Sequence, residues 1–338
     1  MQFDLTKILT SKLMIRVRKM NMENFRKAGA AARGGLTDVP GILVGNAEDA
    51  GGRTGCTVVL CPDGAVPGVS VSGGSPGTQN TDILRPGTAE YPVYGLLLSG
   101  GSFFGLPAAG GVMRWIVEQG IDNIPLVPAA IINDLAYAAG SPPPDAKLAY
   151  TACRYANPGP VREGNVGAGA GATAGKIYGR PMKSGQGTAS ICIPGGPVVS
   201  ALAIVNPLGD VWCGGCIVVG ALCPDGTFVN QTRAMLSGVP SPHLQTLNTT
   251  IAVVATNARL TKAEANRVAL LAEDGMGRAI SPNHTQWDGD TIFCLALGSY
   301  TSNLTSDELV TLVGTAAAVV LEEAIIRGAL AAQSCRNS

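Results

Sequence analysis

The chain has 338 residues, 46% of them hydrophobic and 14% charged, with 24 Lys/Arg balancing 24 Asp/Glu. That composition supplies a sizeable core, and zero net charge excludes a charge-extended disordered chain and any general electrostatic pull toward nucleic acid or an anionic membrane. Forty-five glycines and 22 prolines suit many strands joined by tight turns, and only 5% aromatic residues leave small side chains to fill the interior.

Residues 1–34 come first, with eight Lys/Arg against Asp4 and Glu23. They read as a basic, disordered extension, or as an over-long start with Met14, Met20 and Met22 as alternatives. The remainder, 35–338, reads as one domain without a linker. Thr57 to Leu60 and Val66 to Val71 predict short strands, and Tyr94 to Leu98 a buried one, each closed by Gly, Pro or Asp-Gly turns. Leu106 to Gln119 carries apolar residues at helical spacing and stops at Gly120; Ala146 to Tyr155 predicts a second, shorter helix. Ala189 to Ile193, Val198 to Val205 and Ile217 to Leu222 are β-type again. A polar stretch with little pattern, Gln231 to Leu247, precedes the strong strand Ile251 to Ala255.

Thr261 and Glu264 form a capping box, and the helix they open carries Val268, Leu271 and Ala272 on one face. Thr305 and Glu308 repeat the device before a long apolar helix to about Ala332, and strand Thr291 to Leu297 lies between the two helices. Strands alternating with helices apolar enough to lie on a sheet predict a layered α/β or α+β domain. The longest largely apolar stretch, Leu309 to Leu321, ends at Glu322-Glu323, short of the ~18–20 residues a membrane span needs.

Two histidines, His243 and His284, exclude a His-rich metal centre and leave a Ser–His–acid triad at most two bases. Nine cysteines, odd in number and mostly in apolar runs, read as reduced, buried thiols of a cytoplasmic protein. Cys213-Gly-Gly-Cys216 copies a redox spacing, but a strand-like run follows it rather than a helix.

Four segments could carry chemistry. The run Gly164 to Lys176 fails the phosphate-loop pattern at Ala170 and Ile177 and lacks the acidic partner of a dinucleotide fold, so close backbone packing is its plain reading. Lys176, closing that run, is either a snorkelling edge residue or an active-site cation. Gly100 and Gly101 sit where a strand runs through glycines into a helix, and their N–H groups are candidate oxyanion donors. Asp288 and Asp290, one glycine apart after His284-Thr-Gln-Trp287, either shape a turn or orient an amine. Asn248-Thr249-Thr250 opens the strong strand. Two β-branched residues starting a strand is the plain reading; the alternative is an N-terminal nucleophile. In that case a threonine hydroxyl attacks its own preceding carbonyl, and the freed α-amine then serves as its base.

Six blocks occur in order: Asp38-Val-Pro-Gly-Ile-Leu-Val-Gly45, Ser99-Gly-Gly-Ser-Phe-Phe-Gly105, Gly110-Gly-Val-Met-Arg-Trp115, Gly164-Asn-Val-Gly-Ala-Gly-Ala-Gly171, Asn248-Thr-Thr-Ile-Ala-Val-Val-Ala-Thr256 and His284-Thr-Gln-Trp-Asp-Gly-Asp-Thr291. Together they resemble the self-cleaving N-terminal-nucleophile peptidase family of D-aminopeptidase/esterases and 6-aminohexanoate-oligomer (nylon-oligomer) hydrolases. The Asn-Thr-Thr junction places the chain nearest the nylon-oligomer branch. The resemblance runs from about Gly35 to Ala332. It implies an α+β fold, a four-layer αββα sandwich, and processing between Asn248 and Thr249 into chains 1–248 and 249–338. It further implies Thr249 as nucleophile, Lys176 beside it, Asn206 with its amide at the oxyanion, and Asp288 and Asp290 orienting the threonine and its amine. Asn133 stands where the nylon-oligomer enzymes carry a tyrosine, which puts the substrate contacts there in question. The implied activity is hydrolysis of linear amides, 6-aminohexanoate oligomers or small peptides, through an acyl-enzyme. No metal or cofactor is implied, and the implied assembly is a homo-oligomer of αβ units, a tetramer. Two rival readings are an aminopeptidase without polyamide activity and an unprocessed binding or assembly protein.

Overall fold

A computed structural model describes residues 34–238 and 248–334; the basic extension lies outside them up to residue 33. The strands are β1 (Leu43–Glu48), β2 (Gly55–Val71), β3 (Thr78–Gln79), β4 (Val93–Ser99), β5 (Ala129–Ile131), β6 (Thr173–Ala174), β7 (Met182–Lys183), β8 (Gln186–Cys192), β9 (Val198–Asn206), β10 (Asp210–Cys213), β11 (Cys216–Val219), β12 (Thr249–Ala258), β13 (Ile280–Ser281) and β14 (Thr291–Tyr300). The α-helices are α1 (Ala109–Glu118), α2 (Ala146–Tyr155), α3 (Gln231–Leu236), α4 (Lys262–Ala279) and α5 (Ser306–Ser334).

Hydrogen bonding runs β3-β5-β4-β2-β14-β12-β9-β8, with β1 on β2. The two short strands expected at Thr57 to Leu60 and Val66 to Val71 are one strand of 17 residues. Asp63-Gly64 bends the chain without reversing it, and the register slips between Leu60 and Ala65. The reason lies in the pairing. Residues 55–60 are paired to β1 and β4, while residues 66–71 are paired to β14, so β2 leaves one leaf and enters the other.

Alternation of side chains then builds three apolar layers. Val59, Leu96 and Leu98 of the first leaf meet Leu202, Ile204, Ile251, Val253, Phe293 and Leu295 of the second. The opposite face of the second leaf (Ala203, Val205, Ala252, Val254, Ile292, Cys294) lies under α4 and α5. The opposite face of the first (Val58, Leu60, Leu97) lies under α1 and α2. Helix, sheet, sheet, helix is the αββα order of an α+β domain. Small residues make the layers thin. A Cβ on Gly275 of α4 would stand 2.1 Å from the carbonyl oxygen of Ala318 in α5, so the two helices approach at a position that admits no side chain.

Both capping boxes form. The hydroxyls of Thr261 and Thr305 cap Glu264 N–H and Glu308 N–H, and both glutamates return to the threonine N–H groups. Helix α5 spans 29 residues and, beyond the shorter stretch the sequence suggested, is long and apolar enough to cross a membrane by length and composition. Two-thirds of that stretch is buried on the second leaf and α4, the setting of a core helix. The polar stretch from Gln231 contains α3, because Asn230 Oδ1 accepts the Arg233 N–H as an N-cap; residues 239–247, with His243, lie outside the described part. Cys213 and Cys216 face each other across the β10–β11 hairpin, and neither is in a disulfide.

Candidate active site

The site forms at one end of β12. This strand is buried on both faces, so its first residues come to rest at the edge of the core, with Thr249 only 2% exposed. Antiparallel pairing of β9 with β12 sets Asn206 opposite Thr249. The loop before β14 runs alongside: Asn248 N–H donates to Trp287 O at 2.8 Å, and Gly289 N–H donates to Asn248 O at 2.9 Å. The Thr249 hydroxyl donates to that same Asn248 carbonyl oxygen and accepts the Gly289 N–H at 3.2 Å. Gly289 thus presents one N–H to both atoms of the Asn248–Thr249 junction. A Cβ there would stand 2.8 Å from Thr249 Oγ1 and 2.6 Å from Ser75 O.

The two acids flanking Gly289 have different surroundings. Asp288 accepts Thr285 Oγ1 at 2.5 Å and Leu208 N–H at 3.1 Å, and burial, reinforced by the charge of Asp290, pushes its carboxyl well above the usual range. Asp290 Oδ1 accepts Thr250 N–H at 2.7 Å; its Oδ2 takes both the backbone N–H and the ring Nδ1 of His284, each at 2.9 Å.

Lys176 follows a segment in which backbones touch, as its glycines suggested: a Cβ on Gly169 would lie 2.4 Å from Gln186 N. Gly175 and Lys176 donate their N–H groups to Gly209 O and Leu208 O, each at 3.0 Å, which fixes the lysine beside the end of β9. Its Nζ donates to Asn206 Oδ1 at 2.6 Å and Asn206 O at 2.9 Å. Burial pulls this ammonium down to about 7, against the opposing fields of Asp288 and Asp134. Asn206 Oδ1 also accepts Thr173 N–H at 3.1 Å, and Nδ2 donates one of its two hydrogens to Asn133 O at 3.2 Å.

Of the residues singled out from sequence, Asn248, Thr249, Asn206, Lys176, Asp288 and Asp290 come together. Asn133 joins them through its main-chain carbonyl, while its side chain accepts Leu135 N–H at 3.3 Å and caps its own turn. The N–H groups of Gly100 and Gly101 are occupied, by Gly55 O at 2.8 Å and by Asp134 Oδ1 at 2.7 Å. Sequence reasoning missed Gly289, Asp134, Thr285 and Glu273, and gave His284 no role of its own. A glycine between two acids looks like turn chemistry, and Glu273 is one polar residue on an amphipathic helix.

This arrangement can attack a carbonyl with a hydroxyl, receive an oxyanion on a backbone N–H, and hold an amine among carboxylates and a low-affinity lysine. The family model for peptidase family S58 matches residues 34–338. An uncharacterized aminopeptidase of Mycobacterium leprae is 40% identical over 90% of this chain and 92% of its own length. A 6-aminohexanoate-oligomer endohydrolase of Kocuria sp. is 32% identical over 76% of this chain and 73% of its own. Both branches of the resemblance are thus present, the aminopeptidase at the higher identity. Among solved structures, an L-aminopeptidase D-Ala-esterase/amidase of Ochrobactrum anthropi, described as a variant of the Ntn-hydrolase fold, superposes with a TM-score of 0.66 at 21% identity over 88% of this chain and 86% of its own. A Burkholderia sp. beta-aminopeptidase gives a TM-score of 0.64 at 22% identity, over 88% and 87%. The chain therefore belongs to peptidase family S58, and is a hydrolase of peptide or amide bonds built on the Ntn-hydrolase fold.

Proposed function

We propose that the chain activates itself by cutting between Asn248 and Thr249 and then works as an N-terminal-threonine amidohydrolase. The observation that carries this reading is the junction itself: the Thr249 hydroxyl lies on the Asn248 carbonyl oxygen, which also receives the Gly289 N–H. In the first step Thr249 Oγ adds to the Asn248 carbonyl carbon, and the oxyanion forms against Gly289 N–H. Collapse breaks the peptide C–N bond and takes a proton to the new α-amine. Water then hydrolyses the resulting ester, leaving Asn248 as a carboxylate and freeing Oγ.

In turnover, the α-amine accepts the Oγ proton as Oγ attacks a substrate amide. An ordinary α-amine pKa near ~8 suits that role at neutral pH. Asn206 offers its amide to the substrate oxyanion on exchanging its bond to Asn133 O, and Lys176 holds the other end of that amide. Asp290 holds the Thr250 peptide of β12, and Asp288 ties the loop before β14 to Leu208, just past Asn206. The amine product leaves, an acyl-enzyme remains, and water releases it.

Small peptides and linear amides are the substrate class. Aminopeptidase action without polyamide activity is the second reading, favoured by the 40% identity to an aminopeptidase against 32% to an oligomer endohydrolase. The αβ units are taken to assemble as a tetramer, which light scattering checks. Denatured intact mass of purified protein tests the central claim. Two species, 1–248 and 249–338, are expected from the parent and one uncut, inactive chain from Thr249→Ala. A Thr249→Ala chain that is still cut, or still hydrolyses amides, overturns it. Parallel assays on aminoacyl anilides and 6-aminohexanoate oligomers separate the two substrate readings.

A further inference from the structure

His284 stands between two carboxylates carried by different elements. Nδ1 lies 2.9 Å from Asp290 Oδ2, and Nε2 lies 3.2 Å from Glu273 Oε2 on α4. Its backbone is left-handed, φ 51°, a conformation that a non-glycine residue keeps only where its surroundings impose it. The ring bonds to Asp290 through Nδ1, and Glu273 Oε2, a buried oxygen that takes no hydrogen bond, faces Nε2 at ion-pair distance. A neutral imidazole leaves that carboxylate without a counter-charge; the imidazolium supplies one while keeping Nδ1–H on Asp290.

The remaining neighbours agree with a charged ring. Ser72 Oγ donates to Glu273 Oε1 at 2.9 Å and lies 3.1 Å from His284 Nδ1. Asp288 adds its field from the loop. On α4, Asp274 and Arg278 line the same open cavity of about 550 Å³, and Arg278 is held by Glu322 at 3.0 Å. Burial works against the charge on His284, but the bond to Asp290 and the fields of Asp290 and Glu273 raise its pKa above the ordinary value. Burial pushes Glu273 up to about 7.

We propose that His284, as an imidazolium clamped by Glu273, is the positioning residue for Asp290: it fixes Oδ2 so that Oδ1 keeps the Thr250 N–H and holds the start of the nucleophile strand in line. It touches neither substrate nor nucleophile. The clamp rests on the reading of Thr249 as nucleophile. It makes alignment at the front of β12 depend on a charge reached from a cavity beside α4. The clamp needs His284 charged and Glu273 ionised: it weakens as Glu273 takes up a proton below about 7 and is lost as pH rises through the folded pKa of His284, so turnover has an alkaline limb that belongs to this histidine.

Two histidines in the chain make the test direct. In a His243→Gln background, the one histidine ring signal in NMR is that of His284. It is expected to titrate above the ordinary histidine range, and Glu273→Gln is expected to bring it down and to move the alkaline limb of the kcat profile to lower pH. His284→Gln is expected to lose about tenfold to a hundredfold in kcat with little change in KM, and to lose the limb. A ring that titrates at or below the ordinary range overturns the proposal. So does an alkaline limb that stays in place while Glu273→Gln moves the ring. Thr249→Ala, run alongside, separates the two failures: if it remains active, the nucleophile reading fails; if it is inert while both clamp variants keep the parental profile, only the clamp fails.

Discussion

Lys176 and Lys262 are buried to the same degree, 9% and 6% exposed, yet they are held in opposite ways. Lys262 begins α4, where the helix dipole disfavours a cation. Its stem carries the ammonium away to a cage of oxygens: Ile83 O at 2.7 Å, Thr88 Oγ1 at 2.5 Å, Ala89 O at 2.9 Å and Thr88 O at 3.3 Å. That cage fastens the loop after β3 to the second leaf. Lys176 instead meets both its acceptors on one residue, Asn206, and lies in the fields of Asp288 and Asp134. Several oxygens gathered from one loop make a lysine a fastener. A single amide partner and nearby acids make it a group whose charge is open to change.

The largest expected effect follows from this contrast. Lys176→Met should lower kcat/KM by about a hundredfold or more, because the amide of Asn206 loses the group that holds it. Its urea midpoint at neutral pH should not fall, since Thr173 N–H still serves Asn206 Oδ1 and the cost of burying an ammonium is removed. Lys262→Met should do the reverse. It strips the donor from buried carbonyls and should cost about 2–4 kcal/mol in urea unfolding, with kcat unchanged. Either variant showing the other's pattern would break the comparison.

The pH dependence sharpens it. Lys176 folded has its proton affinity lowered to about 7 from the 10.5 of an ordinary lysine, so the unfolded chain binds more protons between those values. Stability of the parent should therefore rise with pH across that window relative to Lys176→Met, by at most about 1.4 kcal/mol per unit. A flat difference between the two would show that Lys176 keeps its charge. The smallest effect serves as a scale for a polar group with a purely local role. Thr305→Ala removes the cap of α5 and should cost about 1 kcal/mol in the same unfolding assay, leaving turnover untouched.

Local chemistry was legible in the sequence wherever a short stretch decides its own structure. The capping boxes at Thr261 and Thr305, the apolar alternation of β12 and the close-packed glycines before Lys176 are of this kind. The passage of β2 between leaves was not, because Asp63-Gly64 looks the same whether a strand reverses or bends, and the partners that decide it lie in β14. Resemblance marked Thr249, Lys176, Asn206, Asp288 and Asp290. Composition could not mark the clamp of His284 by Glu273, since a pairing between a loop and a helix face exists only once both lie on the second leaf. Gly289 was hidden for the opposite reason. Its role is carried by a backbone N–H and by the absence of a side chain, and neither leaves a chemical signature in a list of residue types.

The position of β12 has one further consequence. It lies between β9 and β14, and β14 in turn lies against β2, so the segment from residue 249 onward is inserted like two planks into a floor laid by the earlier part of the chain. Opening the backbone at 248/249 would leave every lateral seam of those planks in place, and α4 and α5 would still roof them. The fold therefore behaves as two interlocking pieces. Residues 1–248 and 249–338, produced as separate polypeptides, have the seams needed to find one another, and a circularly permuted chain could begin at Thr249 with its amine already free.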